Sequence, residues 1–274
     1  MSQPISPWRL LRAESPGPDW FWLPGWSFAP EVFAPLYNQL PGQHYGFDYS
    51  ATGVADNHDF NSCARALINQ APASPQRPAI WVGWSLGGAL ACAALSVSAA
   101  AAAAAAASAS AMQKTGNITL ITLATSATFC RLQAEDEFGL DADLLQQFSQ
   151  NMQQQPEKTR RRFLALCTQG AADARPLSRL LASHQLSDPA TLLPGLDWLR
   201  SYRLNPATGN RLQVRQEQHW LGSHDALNAG GLNPVYYNPG HSHAFFLEPE
   251  GQVALLTRLQ ALCCQLKPAS GAQG

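Results

Sequence analysis

Ile80-Trp81-Val82-Gly83-Trp84-Ser85-Leu86-Gly87-Gly88 is the stretch that decides the fold. An apolar run ends in Gly-x-Ser-x-Gly and passes straight into an alanine-rich segment, which reads as strand, sharp turn and helix. In that setting the serine occupies the apex of a strained turn, and the neighbouring chain passes too close for a Cβ at the glycines. The turn raises the Ser85 hydroxyl above the sheet. It also sets the Leu86 N–H at a helix N-terminus, aimed where an oxyanion would form.

Working outward, Trp20-Phe21-Trp22-Leu23 is a short apolar strand ending at Pro24-Gly25-Trp26, and Glu31 to Leu40 reads as a helix. Gly46 to Tyr49 is the next strand tip, and Phe60 to Gln70 an amphipathic helix. The helix after the elbow runs into Ala99 to Ala107, either as its extension or as a helical surface insertion with no chemical role. Asn117 to Leu123 is a β-branched strand. From Asp141 to Arg203 the pattern is helical, broken at Pro156, Pro176, Pro189 and Pro194, with no convincing strand. Strands return at Gln218 to Leu221 and Val235 to Tyr237, and a final helix covers Gly251 to Leu266. This alternation predicts an α/β fold: a mostly parallel sheet flanked by helices, with function at the strand carboxyl ends. The expected division is a core at 1–128, a helical cap at 129–204 and the rest of the core at 205–274.

Composition narrows the class. The 274 residues are 46% hydrophobic, enough for a sizeable core, and only 14% charged. A net charge of -1 argues against a nucleic-acid binder. The six cysteines show no CxxC or Cys/His metal spacing, and Cys263 and Cys264 are adjacent, so reduced thiols are expected and no metal. Met1 to Pro18 has no apolar core of a signal peptide. Ala79 to Gln113 is uncharged but too weakly apolar for a membrane span. A cytoplasmic protein away from membranes, acting as a monomer, is the expectation.

A serine nucleophile needs a base, a group to orient it and an oxyanion hole, and the chain order in this arrangement is serine, acid, histidine. Asp225, in Leu221-Gly222-Ser223-His224-Asp225-Ala226-Leu227, follows a strand end, whereas Asp197 and Glu217 precede it. The next strand leads into Asn238-Pro239-Gly240-His241-Ser242-His243-Ala244-Phe245-Phe246. Two histidines compete there. His241 follows a glycine; His243 opens His-Ala-Phe-Phe, whose aromatics suit the wall of an apolar pocket. His243 is favoured and His241 stays open. The second oxyanion donor is expected from the Trp26 backbone N–H, with its indole over the site; the plain alternative is a core tryptophan.

Leu23-Pro24-Gly25-Trp26, Trp81 to Gly88, Arg162-Phe163-Leu164-Ala165-Leu166, Gly222 to Leu227 and Ser242-His243-Ala244 together resemble the pimeloyl-[acyl-carrier protein] methyl ester esterases of biotin synthesis. The cap segment Arg162 to Gly170 is the discriminating part, since the elbow is shared by many α/β-hydrolases. The resemblance implies the α/β-hydrolase fold and a serine carboxylesterase acting on the methyl ester of pimeloyl-acyl carrier protein, without a cofactor. It implies Ser85 as nucleophile, Asp225 as orienter, His243 as base, and Trp26 and Leu86 as oxyanion donors. Phe148, Ser149, Gln150, Asn151 and Met152 would contact the acyl chain, and Phe129 would help to wall the channel. Lys158, Arg160, Arg161 and Arg162 would dock the acidic carrier protein, the bland alternative being a solvated helix face. Three departures stand out: Pro24 replaces the usual histidine, the interval from Asp225 to His243 is shorter, and the segment after His243 is one residue out of step. The same elements also fit a general short-chain carboxylesterase or a carbon–carbon bond hydrolase, because fold does not set substrate. A non-catalytic ligand-binding protein would be expected to lack one of the three residues.

Overall fold

A computed structural model describes residues 6–14, 16–50, 59–72, 74, 77–105, 118–131, 138–204, 214–230, 232, 236–238 and 241–266. The expected strand starts at Asn117 and Val235, the alanines at 106 and 107 and the first five residues lie outside them.

Seven strands form one sheet in the order β1-β3-β2-β4-β5-β8-β9. They are β1 (Trp8–Glu14), β2 (Asp19–Leu23), β3 (Gly42–Phe47), β4 (Ala79–Trp84), β5 (Ile118–Leu123), β8 (Val214–Gly222) and β9 (Tyr236–Asn238), while β6 (Cys130–Arg131) and β7 (Leu140–Asp141) make a separate small pair. All neighbours in the large sheet are parallel except β1, which runs antiparallel to β3 along the edge.

The central strands are buried on both faces, as a helix-covered parallel sheet requires. On β2, Trp20 and Trp22 project to one side and stack 5.6 Å apart, while Phe21 projects to the other and stacks 5.0 Å from Trp81. Strand β1 was not legible in the sequence. Arg9, Arg12 and Glu14 break its apolar pattern and a register shift between Leu10 and Arg12 bends it, both devices that protect a sheet edge.

The helices are α1 (Ala34–Tyr37), α2 (Phe60–Asn69), α3 (Leu86–Ala105), α4 (Ala142–Gln154), α5 (Pro156–Thr168), α6 (Ala174–Ser183), α7 (Pro189–Ser201) and α8 (Pro249–Gln265). The expected helix at Glu31 to Leu40 is instead a 3-10 turn, Pro30–Phe33, followed by the single turn α1. Pro35 supplies no N–H to continue the ladder. The elbow helix α3 does run on into the alanines, through Ala105.

Helices α4 to α7 fill the interval between β5 and β8, where the sequence predicted a cap. Three of the four prolines sit in first turns, at the starts of α5 and α7 and third in α6, where the N–H would have no helical partner. Pro194 differs from the expectation: it lies inside α7 and does not break it. No helix among the described residues is long and apolar enough to cross a membrane.

Candidate active site

Strand β4 delivers Ser85 at its carboxyl end with φ 54, a conformation that L-residues rarely adopt. Close packing enforces it. A Cβ on Gly87 would lie 2.2 Å from the Leu23 carbonyl oxygen, and one on Gly83 would lie 2.5 Å from the Gly88 Cα. The Ser85 N–H donates to the Leu123 carbonyl at 2.8 Å, and Thr125 Oγ1 donates to the Ser85 carbonyl at 3.2 Å. Leu86 is the first residue of α3, so its N–H has no carbonyl one turn back within the helix. The other non-glycine residues with positive φ, among those described, are Ser27 (φ 70) beside Trp26 and Ala124 (φ 49) after β5. Backbone strain thus gathers at the carboxyl ends of three neighbouring strands.

Asp225 and His243 meet at the ends of β8 and β9. His243 Nδ1 lies 2.9 and 2.8 Å from the two Asp225 carboxylate oxygens, so Nδ1–H donates and Nε2 carries the lone pair. The Leu227 N–H donates to Asp225 Oδ1 at 2.8 Å and fixes the carboxylate. His243 is 1% exposed, and its Nε2 is buried with no hydrogen-bond partner among the described residues. A buried ring nitrogen without a partner calls for an explanation. Trp84, the residue before the nucleophile candidate, donates its Nε1–H to the His243 carbonyl at 3.0 Å and ties this loop to the elbow.

His241 faces elsewhere. Its Nδ1 lies 3.1 Å from Glu248 Oε2 and its Nε2 lies 3.7 Å from Glu250, so both ring nitrogens face carboxylates. Of the two histidines, the geometry brings only His243 to Asp225.

Pro24-Gly25-Trp26-Ser27 turns back on itself through a Phe28 N–H bond to the Gly25 carbonyl at 3.2 Å. The Tyr49 hydroxyl donates to the Pro24 carbonyl at 2.8 Å, which holds this loop. The loop is also laced to the segment between α6 and α7: Leu186 N–H donates to the Ser27 carbonyl at 2.7 Å, and Ala29 N–H to the His184 carbonyl at 2.9 Å. The Trp26 indole is 2% exposed and donates to the Leu192 carbonyl of α7 at 2.8 Å. It stands edge-on to Phe163 at 4.8 Å and Phe148 at 5.6 Å, as part of the cap seam.

Between helices α4, α5 and α7 and the loops after β2, β5 and β8 lies a cavity of about 280 Å³, apolar over most of its wall. Trp26, Phe129, Phe148, Asn151 and Arg162, all singled out in the sequence, line it. Ser85 and His243 lie outside that lining, but Ala226 and Leu227, which follow Asp225, are within it. The other predicted contacts are placed differently. Met152 is fully buried, Ser149 Oγ bonds back to the Leu145 carbonyl at 3.0 Å, and Gln150 is exposed.

Of the four cap cations, Lys158 and Arg161 are exposed and Arg162 reaches the cavity. Arg160 is occupied: its guanidinium pairs with Glu157 at 3.0 Å and lies 3.4 Å from Gln185 Oε1. Sequence reading missed the leucines of the cavity wall: Leu144, Leu196 and Leu199, which carry no signal apart from helical apolar spacing, and Leu140 in the short strand β7. Cys167 sits nearby, but burial, and then the charge of Asp225, push its thiol well above the ordinary range, so it stays neutral. Among the described residues no group of three or more histidine, cysteine or acidic side chains is placed to hold a metal ion.

Comparison with known proteins gives the family. The alpha/beta hydrolase family matches residues 16–255. The chain belongs to that family. A pimeloyl-[acyl-carrier protein] methyl ester esterase from Shewanella woodyi is 33% identical over 82% of this chain and 86% of the relative. One from Xylella fastidiosa is 30% identical over 88% of this chain and 86% of the relative. Among solved structures, an esterase from Exiguobacterium antarcticum superposes on this alpha/beta hydrolase with TM-score 0.69, covering 96% of this chain and all of the other at 14% identity. A putative aryl esterase from Burkholderia cenocepacia does so with TM-score 0.63 at 18% identity, covering 94% of each chain. At those identities the structural likeness speaks for the fold alone.

Proposed function

We propose that this alpha/beta hydrolase is a cytoplasmic serine carboxylesterase that cleaves the methyl ester of pimeloyl-acyl carrier protein in biotin synthesis. The observation that carries it is the His243–Asp225 pair, buried, joined by a bifurcated Nδ1–H bond and crowned by an unpartnered Nε2, on the loop that Trp84 ties to the Ser85 elbow. Relatives that bear this activity in their names, alike over more than four-fifths of both chains, supply the substrate.

The chemistry is acyl transfer. His243 Nε2 takes the Ser85 proton as Oγ attacks the ester carbonyl, and Asp225 holds the imidazole in the tautomer that can accept it. The Trp26 and Leu86 N–H groups receive the oxyanion, from a loop fixed by Tyr49 and from a helix N-terminus. The imidazolium then protonates the departing methoxide, methanol leaves, and water hydrolyses the acyl-serine with His243 acting again as base.

The apolar cavity suits a methylene chain. It shares Trp26 with the oxyanion loop and Leu227 with the Asp225 turn, so a chain lying in it extends away from the reacting carbon. Residues 129–204 form the cap over that chain, and the exposed Lys158 and Arg161 on α5 present the positive face for an acidic carrier protein, with Arg162 at the cavity beside them.

Two assays on purified protein test this. One uses p-nitrophenyl acetate with Ser85→Ala as control, the other pimeloyl-carrier methyl ester with methanol release as readout. Both should turn over and both should stop in Ser85→Ala. Hydrolysis of the first ester with none of the second points to a general esterase and overturns the substrate assignment.

A further inference from the structure

The loop that carries His243 is held by a second acid that the chemistry above does not use. Glu248 is 5% exposed, a rare position for a carboxyl group, and the hydrogen bonds of its carboxylate go to the two residues before His243. Oε1 accepts from the Ser242 N–H at 2.9 Å and from the Ser242 hydroxyl at 2.7 Å. Oε2 accepts from His241 Nδ1–H at 3.1 Å. Glu248 is also the residue from which α8 starts, so it ties the loop to the end of a long, packed helix.

The loop needs such a clamp. It crosses the end of β8 in close contact: a Cβ on Gly222 would lie 2.3 Å from the His241 carbonyl oxygen and 2.6 Å from that of Ser242. Beyond it, the Trp84 indole at 3.0 Å and the Cys167 carbonyl at 3.3 Å grip residues 243 and 244. Remove Glu248 and the buried Ser242 N–H and hydroxyl lose their acceptor, as does the half-buried His241 Nδ1–H. The loop would shift to find partners, and His243 would move with it.

We propose that Glu248 is a positioning residue, acting through Ser242 and His241 to set the His243 ring against Asp225 and Ser85. This rests on the reading of His243 as the base. It also gives His241 its part: the loop's second histidine is an anchor.

The test uses the full-length protein and p-nitrophenyl acetate, with the far-downfield proton signal of the His243 Nδ1–H bond to Asp225 as a second readout. Glu248→Ala should leave KM unchanged and lower kcat about 10²-fold, the effect of misplacing a catalytic group by about 1 Å. The downfield signal should broaden or vanish, and Glu248→Gln, which keeps an acceptor for Ser242, should recover part of both. Wild-type kcat with an intact signal in Glu248→Ala overturns the proposal. Should that variant fail to fold, Ser242→Ala carries the test: it should lower kcat less and weaken the signal, and wild-type values for both overturn the proposal. His243→Ala separates the two layers. If it stays active, the base assignment fails; if it is inactive while Glu248→Ala is wild-type, only the positioning role fails.

Discussion

Replacing Asp225 by asparagine changes one atom and should nearly abolish activity, for a reason visible in the hydrogen bonds. Asp225 Oδ1 accepts the Leu227 N–H at 2.8 Å, and both carboxylate oxygens face His243 Nδ1 at 2.9 and 2.8 Å. An asparagine must place its carbonyl oxygen toward the Leu227 N–H, because its NH₂ group cannot accept that bond. The NH₂ group is then left facing His243 Nδ1. It can only donate, so at the Oδ2 position, 2.8 Å from Nδ1, its hydrogens oppose the Nδ1–H. This repulsion works against the bond that Oδ1 still offers at 2.9 Å and favours the tautomer protonated at Nε2, the nitrogen meant to take the serine proton. A wrong-tautomer substitution of this kind costs about 10⁴-fold in kcat, or about 5 kcal/mol of barrier. The shape is preserved, so the unfolding midpoint should stay near that of the wild type. The assay is p-nitrophenyl acetate hydrolysis beside a thermal melt. A loss of no more than about tenfold in a folded Asp225→Asn protein would refute the assignment of Asp225 as orienter.

Three further outcomes follow from other parts of the structure. Gly87→Ala would put a Cβ 2.2 Å from the Leu23 and 2.5 Å from the Pro24 carbonyl oxygens, which cannot yield without shifting the Trp26 loop. Steady-state kinetics should show kcat down by about 10²–10³, the worth of one oxyanion donor, and a wild-type kcat would contradict the role of that loop. His44, fully buried, accepts from Trp22 Nε1–H at 3.1 Å, and burial lowers its pKa from 6.5 to about 4. The unfolded chain therefore takes up a proton that the fold refuses: this contribution is complete above pH 6.5 and falls away by roughly 3 kcal/mol as acidity rises toward pH 4. Urea unfolding at pH 7, 5 and 4 should show that slope in the wild type and a shallower one in His44→Gln. Reversing the exposed Lys158 and Arg161 to glutamate should lower kcat/KM on the carrier-linked ester by about tenfold or more at low salt and spare p-nitrophenyl acetate. Equal loss on both esters would remove the docking face.

Legibility in the sequence followed how local each feature is. The Ser85 elbow was readable because its causes, a buried strand, two glycines and a helix start, are contiguous. Asp225 and His243 were readable from chain order, since strand ends collect at one edge of a parallel sheet. The choice between His241 and His243 was not, because it depends on Glu248 and Glu250, whose placement relative to the ring is a tertiary fact. Strand β1 hid behind its arginines, and the expected helix at Glu31 to Leu40 overlooked the interruption by Pro35. Pro194 misled in the other direction: a proline signals a break, yet α7 carries it through, with the neighbouring Gly195 packed against the Trp26 indole. In the cap, a run of four cations looked uniform in one dimension. The helix sorts them by face, turning Arg160 into a half-buried tie to Gln185 and Arg162 toward the cavity.

The central claim is that Ser85 carries the acyl group, and it can be observed directly. Rapid quenching of the reaction with p-nitrophenyl acetate, followed by peptide mass spectrometry, should find one acetyl group, on Ser85, forming with the first burst of p-nitrophenol. Ser85→Ala should show neither adduct nor burst. An acetyl group on another residue during turnover, or hydrolysis that persists in Ser85→Ala, would contradict the account.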